Sequence, residues 1–436
     1  MLFRIVFIVS HLMTIFAVQL NFYTSVGQVR QEISIKDGYV QIHFTDQEYN
    51  AIIPGTIDFP GQQIIEQDLY NSNEELRNTD IFIRFDKCEN DHTLKAKLID
   101  PYSFLIKYDS LRYAYASRDQ IEFDKDPLLD GMILSVRLDN ESIETTNMTY
   151  LTRGLWWTPR YEVMVIDERS ATLRALADLN NEHQRLYDTT RSQLVTGSIP
   201  LVSNSVRAPA PMEAQRFEQM AGSMSNASPS ISSIPDSTNF GSYSYNITHK
   251  FSLLPKSIKT FPFLSAMISF NYTLETSMYL SIGAASGLFQ RIFIIKPSEF
   301  LPAGTITFYL ATTGITLGQG RLPDTPKQSE QKISIGNDPD VRFNIISVIT
   351  AIHQTPVYGQ DLDVNVTVSN RKDEQIVSVK LTINSGFRNT TLFIKNLSSS
   401  NIRINQSSND KSILIIQATI QPNQNERCNF SLKQLS

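Results

Sequence analysis

Apolar residues in this chain recur at every second position. Tyr39-Val-Gln-Ile-His-Phe44, Asp80-Ile-Phe-Ile-Arg-Phe85, Met132-Ile-Leu-Ser-Val-Arg-Leu138 and Tyr161-Glu-Val-Met-Val-Ile166 read this way. So do Arg291-Ile-Phe-Ile-Ile295, Leu362-Asp-Val-Asn-Val-Thr-Val368 and Ser412-Ile-Leu-Ile-Ile-Gln-Ala418. A period of two puts one face of a strand against a core and the other against water, whereas a helix would need a period near 3.6. Gly, Pro, Asn and Asp punctuate the runs, as turns require. The one helix-rich stretch, Arg174 to Tyr187, is interrupted by Asn180-Asn181, so helix and strand–turn–strand both remain open. The fold class is therefore mainly β, and 436 residues suffice to bury a core without disulfide staples.

The punctuation divides the chain. Residues 28–76 form N-terminal strands. Residues 79–123 hold five short runs, Ile81–Phe85, Thr93–Leu98, Phe104–Tyr108, Leu111–Ala116 and Gln120–Phe123, which predict a small SH3-like or Sm-like β-barrel. Residues 128–340 predict a β-sandwich core, and residues 341–436 a C-terminal β-sandwich region. Within the core, 203–242 is rich in Ser, Pro, Ala and Met and poor in aromatics. It cannot bury enough surface to offset its ordering entropy, which predicts a disordered insertion. The strands on either side are expected to share one sheet system.

The N-terminus reads as a signal peptide, residues 1–19. Met-Leu-Phe-Arg is a short basic start, and Ile5 to Val18 is apolar apart from Ser10, His11 and Thr14. That run is shorter than the roughly 20 residues of a membrane span. Cleavage is expected between Ala17 and Gly27. No later segment reaches spanning length, and Asn429 to Ser436 is polar, so no membrane span is expected after cleavage. Asn-X-Ser/Thr sequons stand at Asn140, Asn147, Asn226, Asn246, Asn271, Asn365, Asn389, Asn396, Asn405 and Asn429. Chance would give about five. The excess and the leader agree on a secreted, N-glycosylated chain. Its two cysteines, Cys88 and Cys428, are a candidate disulfide pair in an oxidising compartment. A formal charge of −5 without a basic cluster argues against nucleic-acid binding.

One stretch resembles a known family. Tyr150-Leu-Thr-Arg-Gly-Leu-Trp-Trp-Thr-Pro-Arg-Tyr161 is followed by Leu173-Arg-Ala-Leu-Ala-Asp178, Leu194-Val-Thr-Gly197 and Ala208-Pro-Ala-Pro-Met212. Then come Phe251-Ser-Leu-Leu-Pro255, Phe261-Pro-Phe-Leu264, Glu299-Phe-Leu-Pro-Ala-Gly304, Leu317-Gly-Gln-Gly-Arg-Leu322 and Ser334-Ile-Gly-Asn-Asp-Pro-Asp-Val341. In kind and order these are similar to the mucoidy-inhibitor-A-like proteins, whose shared module is a domain of unknown function (DUF4139). The resemblance runs from Leu128 to the C-terminus and implies a short form lacking the family's coiled coil. It brings no catalytic residues. In the aromatic stretch, Gly154 permits a turn or bulge, and Pro159 fits a strand edge or turn. Trp156, Trp157, Arg160 and Tyr161 are the candidate surface or interaction residues, with core packing the competing role for the large rings.

Recognisable chemistry is sparse. His43, His92, His183, His249 and His353 lie in no metal-spaced pair, so no metal and no cofactor is expected. Asp86, Glu89, Asp91 and His92 read as an exposed turn around Cys88. Asn337-Asp-Pro-Asp340 offers hard oxygens for calcium but reads better as a turn. Gly318-Gln-Gly320 is too short for a nucleotide loop and reads as a β-turn. No nucleophile elbow is present. The expected function is non-enzymatic recognition or assembly with an unknown protein or glycan. The alternative is a secreted hydrolase whose site is assembled between domains.

Overall fold

A computed structural model describes residues 18–435 except 85–92, 110–111, 125–126, 128–129, 141, 168, 197–235, 238–241, 355–358, 386–390, 399–401 and 408–409. Strand follows strand through the described residues, as the period-two pattern requires. The one α-helix among them, Asp46–Ala51, owes its start to a capping box: Thr45 Oγ1 accepts from the Glu48 backbone N–H at 3.3 Å, and Glu48 Oε2 accepts from the Thr45 N–H at 3.1 Å. The ambiguous stretch is two strands, Ser170–Asn181 and Tyr187–Val195. Asn181 ends the first, its amide donating to Arg185 O (2.9 Å) and Leu254 O (2.8 Å) while its Oδ1 accepts from His183 N (2.9 Å). The expected insertion falls outside the described residues apart from Asp236–Ser237 and Ser242. The strands flanking it do meet in one sheet, with Ser192 opposite Ile247.

The chain forms two compact units: residues 1–158 with 177–261, and residues 159–176 with 262–436. In the first unit the largest sheet runs in the order Thr145–Thr152, Gly27–Ser34, Val18–Phe22, Tyr187–Val195, Tyr243–Ile247, Asp236–Ser237, with Phe251–Leu253 also paired to Tyr187–Val195. Val18–Phe22 buries Val18, Leu20 and Phe22. A second sheet orders Tyr39–Phe44, Met132–Leu138 and Ile64–Asn71. The third is a five-stranded meander, Asp80–Arg84, Thr93–Asp100, Leu105–Tyr108, Arg112–Tyr115 and Ile121–Phe123, whose last strand returns to pair with its first. This is the strand order of an SH3-like barrel, and each strand lies within two or so residues of its sequence-predicted run. It encloses its own core of Leu76, Ile81, Ile83, Ala96, Leu98, Ile106 and Ile121. Burying each such Leu or Ile contributes about 1.5–3 kcal/mol.

The second unit contains a sandwich. One layer holds Gly283–Lys296, Gln331–His353, Gly359–Asn370, Asn425–Leu435 and Thr391–Ser398 in that order. In the other, residues 274–279 pair in parallel with Val377–Asn384, which continues to Ile413–Ile420 and Ile402–Gln406. Val364, Val366, Val368, Leu381, Ile416 and Phe430 fill the space between. The residues alternating with them, Asp363, Asn365 and Thr367, are not buried.

Two sequence expectations are corrected here. Asn337-Asp-Pro-Asp340 is no turn; it lies inside the long strand Gln331–His353, where the register against Gly283–Lys296 shifts around Gln290. A bulge absorbs the proline, which cannot donate to the ladder. Gly318-Gln-Gly320 is likewise within a strand, Thr316–Leu322. A Cβ on Gly320 would stand 2.4 Å from Ile333 Cγ2, and one on Gly318 2.8 Å from Ile335 Cβ. The glycines let one strand's backbone cross two isoleucines, rather than reverse the chain.

Candidate functional site

Strand Leu155–Val165 carries the aromatic motif, and its burial alternates strictly. Trp157 and Tyr161 face inward and are fully buried, so they leave the candidate surface set. Trp157 Nε1 donates to Val195 O at 3.0 Å, and its ring meets Tyr245 edge-on at 6.4 Å. The Tyr161 hydroxyl donates to Pro302 O at 2.7 Å, and its ring meets Phe263 edge-on at 6.4 Å. Both rings thus close a core and satisfy a backbone carbonyl within it, the usual fate of a buried Trp or Tyr. Trp156 and Arg160 alternate outward and are half-buried. Arg160 is held by Glu162 at 3.0 Å. Gly154 precedes the strand in a tight turn. A Cβ there would lie 1.9 Å from His183 Nε2, so the glycine makes room for that ring.

His183 begins a buried network that single-sequence reading gave no sign of. It is only 2% exposed; Nδ1 lies 2.6 Å from the Tyr187 hydroxyl and Nε2 3.1 Å from the Thr152 hydroxyl, one ring nitrogen donating and the other accepting. Burial pushes the imidazole below its ordinary value, Glu48 opposes this, and Lys256 and Arg185 reinforce it. Burial raises the Tyr187 phenol well above the usual range and Tyr150 to about 12. These residues are neutral donors and acceptors sealed from solvent. The network reads as a polar core lock.

The calcium candidate is committed elsewhere. Asp338 is 1% exposed; its Oδ2 pairs with Lys372 Nζ at 2.8 Å and accepts from the Tyr272 hydroxyl at 3.2 Å. Its Oδ1 accepts from the Asp340 N–H at 3.0 Å. The lysine occupies the place a cation would take, and no cluster of three or more metal-ligating side chains occurs among the described residues.

Exposed chemistry gathers on the five-stranded meander. Its outer face carries the residues opposite the buried ones. Tyr113 pairs with Lys107, Lys107 with Lys97 and Lys97 with Asp80, a row across four strands. Lys107 Nζ sits 5.7 Å from the Tyr113 ring centre. Tyr113 is 56% exposed and Tyr115, two positions on, 76%. Lys95 lies on the same face, paired to Asp80 at 2.9 Å; this draws the Asp80 carboxyl below its ordinary value. Lys97 and Lys107 make no ion pair among the described residues. A signal for this face was present: Leu94-Lys-Ala-Lys-Leu98 and Arg112-Tyr-Ala-Tyr-Ala116 alternate large polar or aromatic side chains with small inward alanines.

Beside it, a cavity of about 420 Å³ is lined by His43, Glu75, Asp80, Asp124 and the apolar Leu76, Phe123, Pro127 and Ile133, among others. Two of its polar groups are engaged. Glu75 Oε1 accepts from the Tyr70 hydroxyl at 2.5 Å and from Gln41 Nε2 at 3.1 Å, and His43 Nε2 contacts Asp130 O at 3.0 Å.

The sequons are unevenly placed. Asn140, Asn271, Asn405 and Asn429 are exposed; Asn147, Asn246 and Asn365 are half-buried in strands. Asn365 lies directly opposite Asn429 and donates to its Oδ1 at 2.5 Å. Asn226, Asn389 and the Asn396 side chain fall outside the described residues, as do Cys88 and the Asp86, Glu89, Asp91 and His92 group. Cys428 is fully buried in the sandwich core, opposite Val366. No protein-family model matches the chain, and no curated protein matches it.

Proposed function

We propose that the protein is a secreted, N-glycosylated recognition module that binds an acidic glycan through the tyrosine–lysine face of the 80–123 meander. The observation carrying this reading is that face. Tyr113 and Tyr115 offer ring faces on which sugar C–H groups stack, and Lys97 and Lys107 offer ammonium groups that enter no ion pair among the described residues. On a chain of formal charge −5, such a face favours an anion locally. The leader-like start and the sequon excess support export. We further read residues from Leu128 onward as a divergent mucoidy-inhibitor-A-like module, on the order of its motifs.

The test is titration of acidic and neutral polysaccharides against the wild type, Tyr115→Ala and Lys97→Ala/Lys107→Ala by calorimetry. Tyr115→Ala is expected to weaken acidic-polysaccharide binding about tenfold, and the double lysine variant to remove its salt dependence. Equal binding by the wild type and both variants would falsify the assignment.

The cavity favours a second reading, a glycan hydrolase, because carboxylates in one cleft are what glycosidic cleavage uses. Release of reducing ends by the wild type, lost in Glu75→Gln or Asp124→Asn, would put hydrolysis ahead of recognition.

A further inference from the structure

We infer that the leader is removed at the Ala17–Val18 bond and at no later position, so that the mature chain begins with the interior strand Val18–Phe22. The inference rests on the secretory reading. The sequence alone leaves the cut anywhere from Ala17 to Gly27. The sheet narrows it.

Val18–Phe22 is flanked on both sides. Gly27–Ser34 runs antiparallel to it, with Val18 opposite Gln31 and Phe22 opposite Gly27. Tyr187–Val195 runs parallel to it, with Leu20 opposite Ser192 and Phe22 opposite Leu194. Its inward side chains are 3%, 1% and 0% exposed at Val18, Leu20 and Phe22. The turn beyond it is structural too: the Tyr23 N–H donates to Val26 O at 2.8 Å, the Trp157 N–H donates to Tyr23 O at 3.0 Å, and Val26 is buried. A cut anywhere between Val18 and Gly27 removes ladder pairing from two strands at once and empties apolar positions in the core. Backbone groups on both neighbours would then lose their partners.

The early limit comes from the leader. A signal peptidase needs a small residue before the bond and about 7–15 apolar residues upstream. Ser10 would leave only Ile5–Val9; Ala17 leaves Ile5 to Phe16. Ala17 is therefore the one small residue upstream of the strand with a long enough apolar run before it, although Ile15 stands where a small-x-small site places its other small residue. The step is a hydrolysis: water's oxygen bonds to the Ala17 carbonyl carbon, the C–N bond breaks, and the Val18 nitrogen leaves as an amine that is protonated to ammonium. The register of Val18–Phe22 against Tyr187–Val195 shifts between Val18 and Gln19, so the ladder loosens where the new terminus would lie.

The test is N-terminal sequencing and deglycosylated mass of the full chain expressed in a eukaryotic secretory host. The expected N-terminus is Val-Gln-Leu-Asn-Phe. A secreted, folded product beginning between Gln19 and Gly27 overturns the inference and leaves secretion standing. A product kept in the cell with residues 1–17 attached overturns the secretory reading, and this inference with it. In parallel, a foreign signal peptide is fused directly to Val18 or to Gly27. The Val18 fusion is expected in the medium and the Gly27 fusion retained in the cell; equal export with equal melting temperatures also overturns the inference.

Discussion

His183 shows what a single side chain does when the fold seals it. Its ring is bracketed by the Tyr187 and Thr152 hydroxyls, and burial holds it below its ordinary value of 6.5. Below about pH 6.5 the unfolded chain takes up a proton that the folded chain refuses, so stability falls as pH drops, by at most about 1.4 kcal/mol per pH unit. Urea midpoints between pH 7 and pH 5.5 are expected to fall more steeply for the wild type than for His183→Gln; parallel slopes would acquit this ring. Tyr150 acts in the opposite direction, since a phenol pushed up to about 12 loses its contribution only as pH climbs above 10. Gly154 shares the pocket. Gly154→Ala drives a methyl into the His183 ring and is expected to cost about 1–3 kcal/mol, read as a lowered melting temperature. The pattern Thr-Arg-Gly-Leu-Trp-Trp announces a turn, but nothing in it announces a histidine thirty or so residues on.

Strands carry the next set of consequences. Leu155–Val165 alternates so regularly that Trp157 and Tyr161 had to share one face, and each donates to a backbone carbonyl. Tyr161→Phe removes the buried hydrogen bond to the Pro302 carbonyl and is expected to cost about 1–3 kcal/mol in chemical denaturation. The strand Gln331–His353 is pinned to the Lys372 segment by Asp338. Lys372→Met strands that buried carboxylate and is expected to cost about 3 kcal/mol. The double variant Asp338→Leu/Lys372→Met is expected to recover part of the loss, which a guanidinium midpoint series measures. Asn, Asp and Pro in a row ordinarily spell a turn, and only a bulge in the strand's own pairing with Gly283–Lys296 and a lysine from elsewhere keep the chain extended there.

At the scale of the whole molecule, two units are discontinuous in the chain, which passes between them at residues 158/159, 176/177 and 261/262. Surface placement sets the expected glycan map. If the chain is exported, Asn140, Asn271, Asn405 and Asn429 are expected to carry glycans, because their side chains reach solvent. Site-resolved mass spectrometry checks this, and a secreted product without any glycan would remove the sequon excess as support for export. The period-two pattern determined by itself that the chain is mainly β, that residues 80–123 hold five short strands, and which face is buried in the plainly alternating runs. Those properties are local: alternation is set by the geometry of successive residues. Which strands pair, that Val18–Phe22 lies inside a sheet rather than in a discarded leader, and that His183 meets Tyr187, Thr152 and Gly154 were decided only by tertiary structure. Such contacts join residues distant along the chain, and their energy comes from complementary packing, which no window of neighbouring residues records.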